Sequence, residues 1–150
     1  MPTLDYLSID GDNHYYEPDD CCTRHLEPEF QDRAVHVVRE NDGSGIRYFG
    51  DQPLTFARGA RDYVMKPGQY RAFMRGADLD PSKPPEMIPA LSPEFSDRDA
   101  RLKAMDRQGL QASMMIPSFG LAFDAECSDD PLAACAAVSA FNRWLEDDWG

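Results

Sequence analysis

The sequence has few cationic side chains, and this shortage is the first constraint on function. Only 15 Lys and Arg residues stand against 27 Asp and Glu residues, so the formal net charge over 150 residues is −12. An acidic chain with no basic stripe is a poor match to a nucleic-acid backbone. We therefore predict no nucleic-acid partner.

Long apolar runs and export signals are also missing. No run approaches the roughly 18 apolar residues that a membrane-spanning helix needs. The opening Met-Pro-Thr-Leu-Asp-Tyr has neither the positive region nor the apolar region of a signal peptide. These absences predict a cytoplasmic protein with no membrane partner.

The four cysteines form no C-x-x-C pair. Cys21 and Cys22 are adjacent, and Cys127 and Cys135 lie eight residues apart, which excludes the usual spacing of structural zinc and thioredoxin-like sites. Reduced thiols are therefore expected. Apolar residues make up 42% of the chain, enough to bury a core.

The sequence predicts a strand before a long irregular segment and a helix after it. Residues 7–14 start as a short buried strand and end in polar groups. A loose capping box with Ser96 as N-cap opens a helix in which Leu102 and Met105 lie three residues apart, and Gly109 suits its end.

A second strand and a second helix complete the pattern. Residues 112–116 form a short apolar run that is typical of a buried parallel strand. Asp130 is a good N-cap with Pro131 in the first helical position, and the acidic run 146–148 reads as a solvated helix end. Phe141, Trp144 and Trp149 form a helical stripe and are interpreted as core contacts. Small and large apolar residues follow one helical face: Ala133, Ala136, Ala137, Ala140, Phe141, Trp144 and Leu145. The alternation of strands and helices predicts an α/β fold with a parallel sheet or barrel.

The irregular segment covers residues 15–95. Two β-rich runs around an Asn-Asp-Gly-Ser-Gly cluster predict a β-hairpin at 34–49. Seven prolines between residues 52 and 95 exclude a long helix there. The segment leaves the carboxyl end of the first strand, where α/β folds carry their active-site loops.

Asp12 and His14 are the candidate metal ligands. They lie two residues apart at the end of the first strand, so their side chains share a face. A carboxylate oxygen and an imidazole nitrogen would then converge on a point where a divalent metal can bind. Asp10 lies one step deeper on this face, and Glu17 follows in the loop. The alternative interpretation is a solvated strand end with a turn-capping Asp.

Other polar and aromatic residues near the strand have simpler interpretations. His36 reads as a hairpin side chain and His25 as a loop residue. Arg24 is expected to pair with a nearby carboxylate rather than with a substrate carboxylate. Tyr15 and Tyr16 are left open between lining a pocket and packing.

Several stretches resemble a known family. The run Ile9-Asp10-Gly11-Asp12-Asn13-His14-Tyr15-Tyr16-Glu17-Pro18 resembles the opening of amidohydrolase-superfamily proteins. The branch concerned is amidohydrolase family 2, which includes aminocarboxymuconate-semialdehyde decarboxylase and resorcylate decarboxylases. Residues 99–110, 114–118 and 140–145 resemble the helix, strand and helix that follow in that family.

The resemblance implies a (β/α)₈ TIM barrel with one divalent metal, zinc or manganese, that hydrolyses C–N or C–O bonds or decarboxylates. Such a barrel takes roughly 250 residues. Residues 1–150 are therefore interpreted as the N-terminal portion of a single barrel domain, with a hairpin-containing insertion after the first strand. Asp12 and His14 correspond to the family's His-x-His ligands, with Asp12 replacing the first His. The resemblance leaves the catalytic residues unassigned, since they belong to later strands.

Two functions follow as hypotheses. The first is an N-terminal fragment of a metal-dependent hydrolase or decarboxylase that acts on a small carboxylated or cyclic organic substrate; the isolated fragment is expected to be inactive. The second is a non-catalytic α/β binding or oligomerisation module, in which a homo-oligomer completes the sheet.

Overall fold

The fold was obtained as a computed structural model, which describes residues 6–41, 45–55, 63–65, 71, 75, 87–89, 92–120 and 126–150. The chain divides into two compact units, one made of Met1–Ala60 with Pro93–Gly150 and the other of Arg61–Ser92. The elements, in chain order, are β1 (Ile9–Tyr15), a 3₁₀ helix (Pro28–Phe30), β2 (Val35–Arg39), β3 (Gly45–Phe49), β4 (Gln52–Pro53), β5 (Tyr63–Met65), β6 (Met87–Pro89), a second 3₁₀ helix (Pro93–Phe95), α1 (Arg98–Gln108), β7 (Ala112–Pro117) and α2 (Pro131–Trp149).

A parallel strand pair organises the first unit. β1 pairs with β7 in a register that runs from Ile9 opposite Ala112 to Tyr15 opposite Pro117. The helix α1 precedes β7 and supplies the crossover that a parallel pair requires. The mixed α/β class with a parallel sheet is therefore confirmed.

The two strands are more exposed than the sequence predicts. Ile9 on β1 is 65% exposed and Met114 on β7 is 63% exposed, so the expectation of buried strands is wrong at these positions. Parallel sheets are usually covered on both faces. Here β1 and β7 form a sheet of two strands, and their outer apolar side chains face solvent.

The start of α1 lies one residue later than predicted. Asp97, not Ser96, is the N-cap, and its Oδ1 accepts a hydrogen bond from the Ala100 N–H at 2.7 Å. The Ser96 N–H is instead donated to Pro93 O in the preceding turn, and a carboxylate complements the positive helix N-terminus better than a hydroxyl does.

The end of α1 agrees with the sequence. Gly109 has a φ of +72°, a left-handed conformation that glycine adopts without a steric cost. The Gly109 N–H bonds to Asp106 O and the Leu110 N–H to Met105 O, which is the Schellman pattern of helix termination.

The inward face of α1 differs from the apolar pattern in its sequence. Arg101 and Ala104 are its buried residues, whereas Leu102 is half-exposed. A charged side chain occupies the inner position because its guanidinium binds acceptors on β1, as described below.

The core of the first unit is built on α2. Asp130 caps this helix as predicted, with its Oδ1 accepting from the Ala133 N–H at 3.1 Å and Pro131 following. Trp144 is 1% exposed, and its ring centroid lies 5.9 Å from that of Tyr15. Neither α2 nor another helix in the described part of the chain is long and apolar enough to cross a membrane. Leu145 and Trp149, which were also predicted to pack inward, are only partly buried. The buried residues of α2 all lie on the predicted face and are Ala133, Ala136, Ala137, Ala140, Phe141 and Trp144.

The acidic end of α2 is not simply solvated. Arg24 donates from Nη1 to Asp148 Oδ1 at 2.8 Å, and His25 Nε2 lies 2.8 Å from Asp147 Oδ2. The loop after β1 therefore supplies a guanidinium and an imidazole to a helix end whose own charges oppose its macrodipole.

The hairpin strands lie where the sequence predicts them. β2 and β3 pair antiparallel from Val35 opposite Phe49 to Arg39 opposite Gly45. Residues 42–44 of the predicted turn lie outside the described residues.

The second unit contains a strand pair that the sequence pattern did not reveal. β5 and β6 pair antiparallel from Tyr63 opposite Pro89 to Met65 opposite Met87. Strands of three residues are too short to show an alternation of polar and apolar side chains.

The cysteines are in the thiol form, in agreement with the expectation of reduced thiols. Cys21, Cys22 and Cys127 are buried and Cys135 is exposed. The hydrogen bond with Cys21 and then burial raise the pKa of the Cys22 thiol well above its ordinary value, so this thiol is protonated and unreactive at neutral pH.

Candidate metal centre

The candidate site lies at the carboxyl ends of the parallel strands. The Ser118 hydroxyl, just after β7, donates to Tyr15 O at 2.8 Å and ties the two strand ends together. His14 is the last residue but one of β1, near this edge, whereas Asp12 is the central residue of the strand and lies further from its end than predicted. Ligand and active sites of parallel α/β folds are found at the carboxyl ends of strands.

The structure brings the side chains of Asp12 and His14 together. His14 Nε2 lies 3.5 Å from Asp12 Oδ1, and the side chains are 42% and 84% exposed, respectively. Ligand atoms about 2.1 Å from a tetrahedral metal ion lie about 3.4 Å apart. The observed separation is therefore compatible with two ligands of one divalent cation.

This pair alone does not make a complete metal site. Within the described ranges, no group of three or more His, Cys, Asp and Glu side chains is arranged to hold a metal ion. Catalytic zinc normally has three protein ligands. Asp12 and His14 can therefore be only two of the ligands that such a metal ion needs.

Asp10 serves the backbone of β1 rather than joining this pair. Its Oδ1 accepts from the Asp12 N–H at 3.1 Å, and its Oδ2 accepts from the Asn13 side-chain amide at 3.0 Å. The β1–β7 register shifts between Asp10 and Asn13. A strand that departs from a regular ladder leaves backbone groups to be satisfied by side chains, and Asp10 satisfies one of them.

Arg101 of α1 reaches the same stretch of β1. Its Nη1 donates to Asn13 Oδ1 at 2.6 Å and its Nη2 to His14 O at 2.8 Å. The guanidinium also lies 5.5 Å from the centroid of the Phe95 ring. Burial lowers the pKa of Arg101, but a guanidinium remains charged at any physiological pH.

Glu17 has a structural role in the loop after β7. It is buried, and its Oε1 accepts from the Phe119 N–H at 2.8 Å and from the Gly120 N–H at 3.3 Å. The buried Arg47 of β3 lies over the Phe119 ring, 4.7 Å from its centroid. The Glu17 carboxylate therefore fixes a loop beside the site.

The other two histidines have partners elsewhere. His36 stacks on Tyr48 with ring centroids 5.8 Å apart, and its Nδ1 lies 3.2 Å from Ala34 O. It is thus a hairpin side chain, as predicted, and His25 pairs with Asp147 as described above.

Arg24 and the two tyrosines also have structural partners. Arg24 Nε lies 3.0 Å from Asp20 Oδ2, which confirms the predicted pairing with a nearby carboxylate. Tyr15 is buried against α2, where burial and then Glu17 raise the pKa of its hydroxyl. Tyr16 packs on Phe95, with ring centroids 5.2 Å apart. Both tyrosines therefore make packing contacts, and Tyr15 also lines a surface cavity together with Met115 and Trp149.

The roles of Arg101 and Asn13 were not predicted from the sequence. An Arg in a charged helix is usually read as solvent-exposed. One signal was present, since Arg101 lies three residues before Ala104, on the face of α1 opposite the charged Lys103 and Asp106.

Comparison with known proteins identifies the class of the fold. The structure is similar to that of an amidohydrolase over almost the whole of its own length. The protein compared is an amidohydrolase from Mycobacterium avium subsp. paratuberculosis K-10, with a TM-score of 0.84 and 36% sequence identity. The alignment covers 98% of this chain and 39% of the mycobacterial chain. No family model and no curated protein match the sequence.

Proposed function

We propose that this chain forms the N-terminal part of a metal-dependent hydrolase or decarboxylase of amidohydrolase family 2. One observation carries the proposal. In a chain that is 36% identical to an amidohydrolase over 98% of its length, Asp12 Oδ1 and His14 Nε2 lie 3.5 Å apart near the carboxyl end of β1.

The proposal includes the barrel and its insertion. In a (β/α)₈ barrel, β1 and β7 of this chain would be the first two strands, and the segment with the β2–β3 hairpin would be inserted after the first. The parallel pairing of β1 with β7 and the exposed Ile9 and Met114 support this assignment, since further strands and helices would cover such side chains.

Asp12 and His14 are proposed as two ligands of a divalent metal, with zinc or manganese as the candidates. When bound, such an ion supplies Lewis-acid activation of water or of a substrate oxygen. The carboxylate of Asp12 adds a hard oxygen donor beside the imidazole, a combination that also suits manganese. Further ligands would come from segments that correspond to the rest of the mycobacterial protein.

The proposed substrate is a small carboxylated or cyclic organic molecule, and the proposed location is cytoplasmic. The exposure of Asp12 and His14 at a strand end leaves them accessible to such a molecule. The buried side chains of Arg101 and Glu17 are already engaged, Arg101 by Asn13 and the His14 carbonyl and Glu17 by the backbone of Phe119 and Gly120. These two side chains are therefore expected to hold the surrounding backbone in shape.

Equilibrium metal binding tests the proposal. Zinc and manganese titrations against a chromophoric chelator are compared for the wild type, D12N, H14Q and the double variant. H36Q is the matched control, because it makes the same change at a histidine in the hairpin. We expect one weakly bound ion per chain in the wild type and H36Q, and loss of that ion in the double variant. Equal binding by the wild type and the double variant would refute the assigned ligands.

The second candidate function is a non-catalytic oligomerisation module. The exposed apolar side chains Leu7, Ile9 and Met114 favour it, because a second copy could cover them. Under this hypothesis the double variant D12N/H14Q retains the assembly and metal has no effect on it. Metal binding that requires both Asp12 and His14 would instead favour the N-terminal part of a metal-dependent enzyme.

A further inference from the structure

A continuous set of hydrogen bonds connects α1 to the backbone that carries Asp12 and His14. Arg101 donates to Asn13 Oδ1 and to His14 O, Asn13 donates to Asp10 Oδ2, and Asp10 Oδ1 accepts from the Asp12 N–H. We call Arg101, Asn13 and Asp10 the Arg101 network. It contacts Asp12 and His14 only through their backbone atoms.

The network lies where the strand is least supported by its neighbour. The pairing of β1 with β7 is regular at Ile9 and Asp10 and again from Asn13, with a shift between them. Asp12 falls within the shifted stretch, so the strand ladder alone does not fix its orientation. The bond from Asp10 to the Asp12 N–H replaces this missing constraint.

Arg101 is suited to rigid positioning. It is 7% exposed, and a buried guanidinium persists only where acceptors compensate for its lost hydration. Its planar fork binds two acceptors at a fixed separation. Asn13 Oδ1 and His14 O are thereby held at a defined distance from α1.

We infer that Arg101 is a positioning residue for the Asp12–His14 pair, acting through Asn13, Asp10 and the His14 carbonyl to hold the two side chains at metal-binding separation. This inference rests on the proposed function. Groups that orient metal ligands without touching the metal typically contribute 10- to 100-fold to metal affinity. A comparable contribution is expected here.

The test compares R101M, R101K and N13A with R107M in the 150-residue chain. Arg107 lies on the same helix and is exposed, so R107M controls for the loss of one cation from α1. N13A interrupts the network while keeping Arg101 and serves if R101M does not fold. Zinc affinity is measured by chelator competition, and amide hydrogen exchange is measured at Asp12 relative to β2.

The expected result is a zinc affinity that is roughly 10- to 100-fold weaker in R101M and N13A, with R107M equal to wild type and R101K between the two. Exchange of the Asp12 amide should accelerate in R101M and N13A while exchange in β2 is unchanged. A structural role alone would accelerate exchange in both strands and leave zinc affinity unchanged in the folded fraction.

An H14Q arm separates the two claims. If H14Q abolishes zinc binding and R101M and N13A bind as tightly as wild type, the inference is overturned and the proposed function stands. If H14Q binds zinc as tightly as wild type, the proposed function is overturned, and the positioning role falls with it.

Discussion

Trp144 has the largest fully buried side chain among the described residues. Its side chain is 1% exposed and packs against Tyr15 and Phe141, and its Nε1 donates to Asp148 Oδ2 at 2.6 Å. W144A removes this contact area and leaves a cavity, so we expect a loss of about 3 to 5 kcal/mol in the free energy of unfolding. Urea denaturation measures the loss.

L132A is the matched control for W144A. Leu132 lies on the same helix but is exposed, so its truncation should change stability by no more than about 0.5 kcal/mol. Similar effects of the two substitutions would contradict the assigned packing of α2.

Single residues also show what the sequence could and could not predict about the site. The spacing of Asp12 and His14 predicted a shared strand face, and their side chains do lie within 3.5 Å. The same spacing predicted that Asp10, two residues before Asp12, shares this face. The register shift and its hydrogen bonds to Asn13 and Asp12 give Asp10 a different role. Such a shift depends on the neighbouring strand and is not visible in local sequence.

At the scale of elements, the cap of α1 distinguishes two neighbouring residues. The structure assigns the cap to Asp97 rather than Ser96. D97A should therefore lower the free energy of unfolding by about 1 kcal/mol, while S96A should change it by less than about 0.5 kcal/mol. Thermal or urea unfolding of the two variants checks this order. A larger effect of S96A would mean that Ser96, not Asp97, is the N-cap of α1.

The cap of α2 should make stability depend on pH. The hydrogen bond from Arg33, followed by that from the Ala133 N–H, lowers the pKa of the Asp130 carboxyl. A group with a lowered pKa in the folded state stabilises the fold above its unfolded pKa, about 3.9 for Asp, and loses this effect as the pH falls through the folded value. The stability difference between wild type and D130N should thus be present above about pH 5 and shrink in acid.

Denaturant unfolding of wild type and D130N between neutral and acidic pH measures this difference. R33M should reduce the same pH dependence, because Arg33 is the main cause of the lowered pKa. A difference that grows toward acid would mean that Asp130 is not the ionised partner of Arg33.

Elements with strong end signals were predictable, and short elements were not. Gly109 and the Asp130–Pro131 pair marked helix ends because each has a local physical reason to be there. β5 and β6 were missed because their pairing is non-local and each has three residues. The expectation that β1 and β7 are buried was wrong at Ile9 and Met114, since a periodic pattern reports how apolar a strand is and not which neighbours are present to cover it.

At the scale of the whole molecule, the exposed side of the β1–β7 sheet predicts self-association. Leu7, Ile9 and Met114 are all exposed, and uncovered strand edges and apolar side chains promote contact between copies. Sedimentation velocity should show concentration-dependent association of the 150-residue chain. The double variant I9K/M114K should associate less without a loss of thermal stability.

V138K is a control for that experiment, because Val138 is an exposed apolar residue on α2 rather than on the sheet. It should leave association unchanged. A monomeric wild type that unfolds cooperatively would contradict the view that the chain is part of a larger barrel, whereas a discrete stable dimer would favour the oligomerisation module.

The central claim is that Asp12 and His14 bind one divalent metal at the carboxyl end of β1. Anomalous X-ray scattering at the zinc edge, from crystals of this chain grown with zinc, tests it most directly. The account predicts an anomalous peak within bonding distance of Asp12 Oδ1 and His14 Nε2. A peak only at the acidic end of α2, or at other surface carboxylates, would contradict the claim. It would show that zinc binds wherever negative charge is concentrated and not specifically at Asp12 and His14.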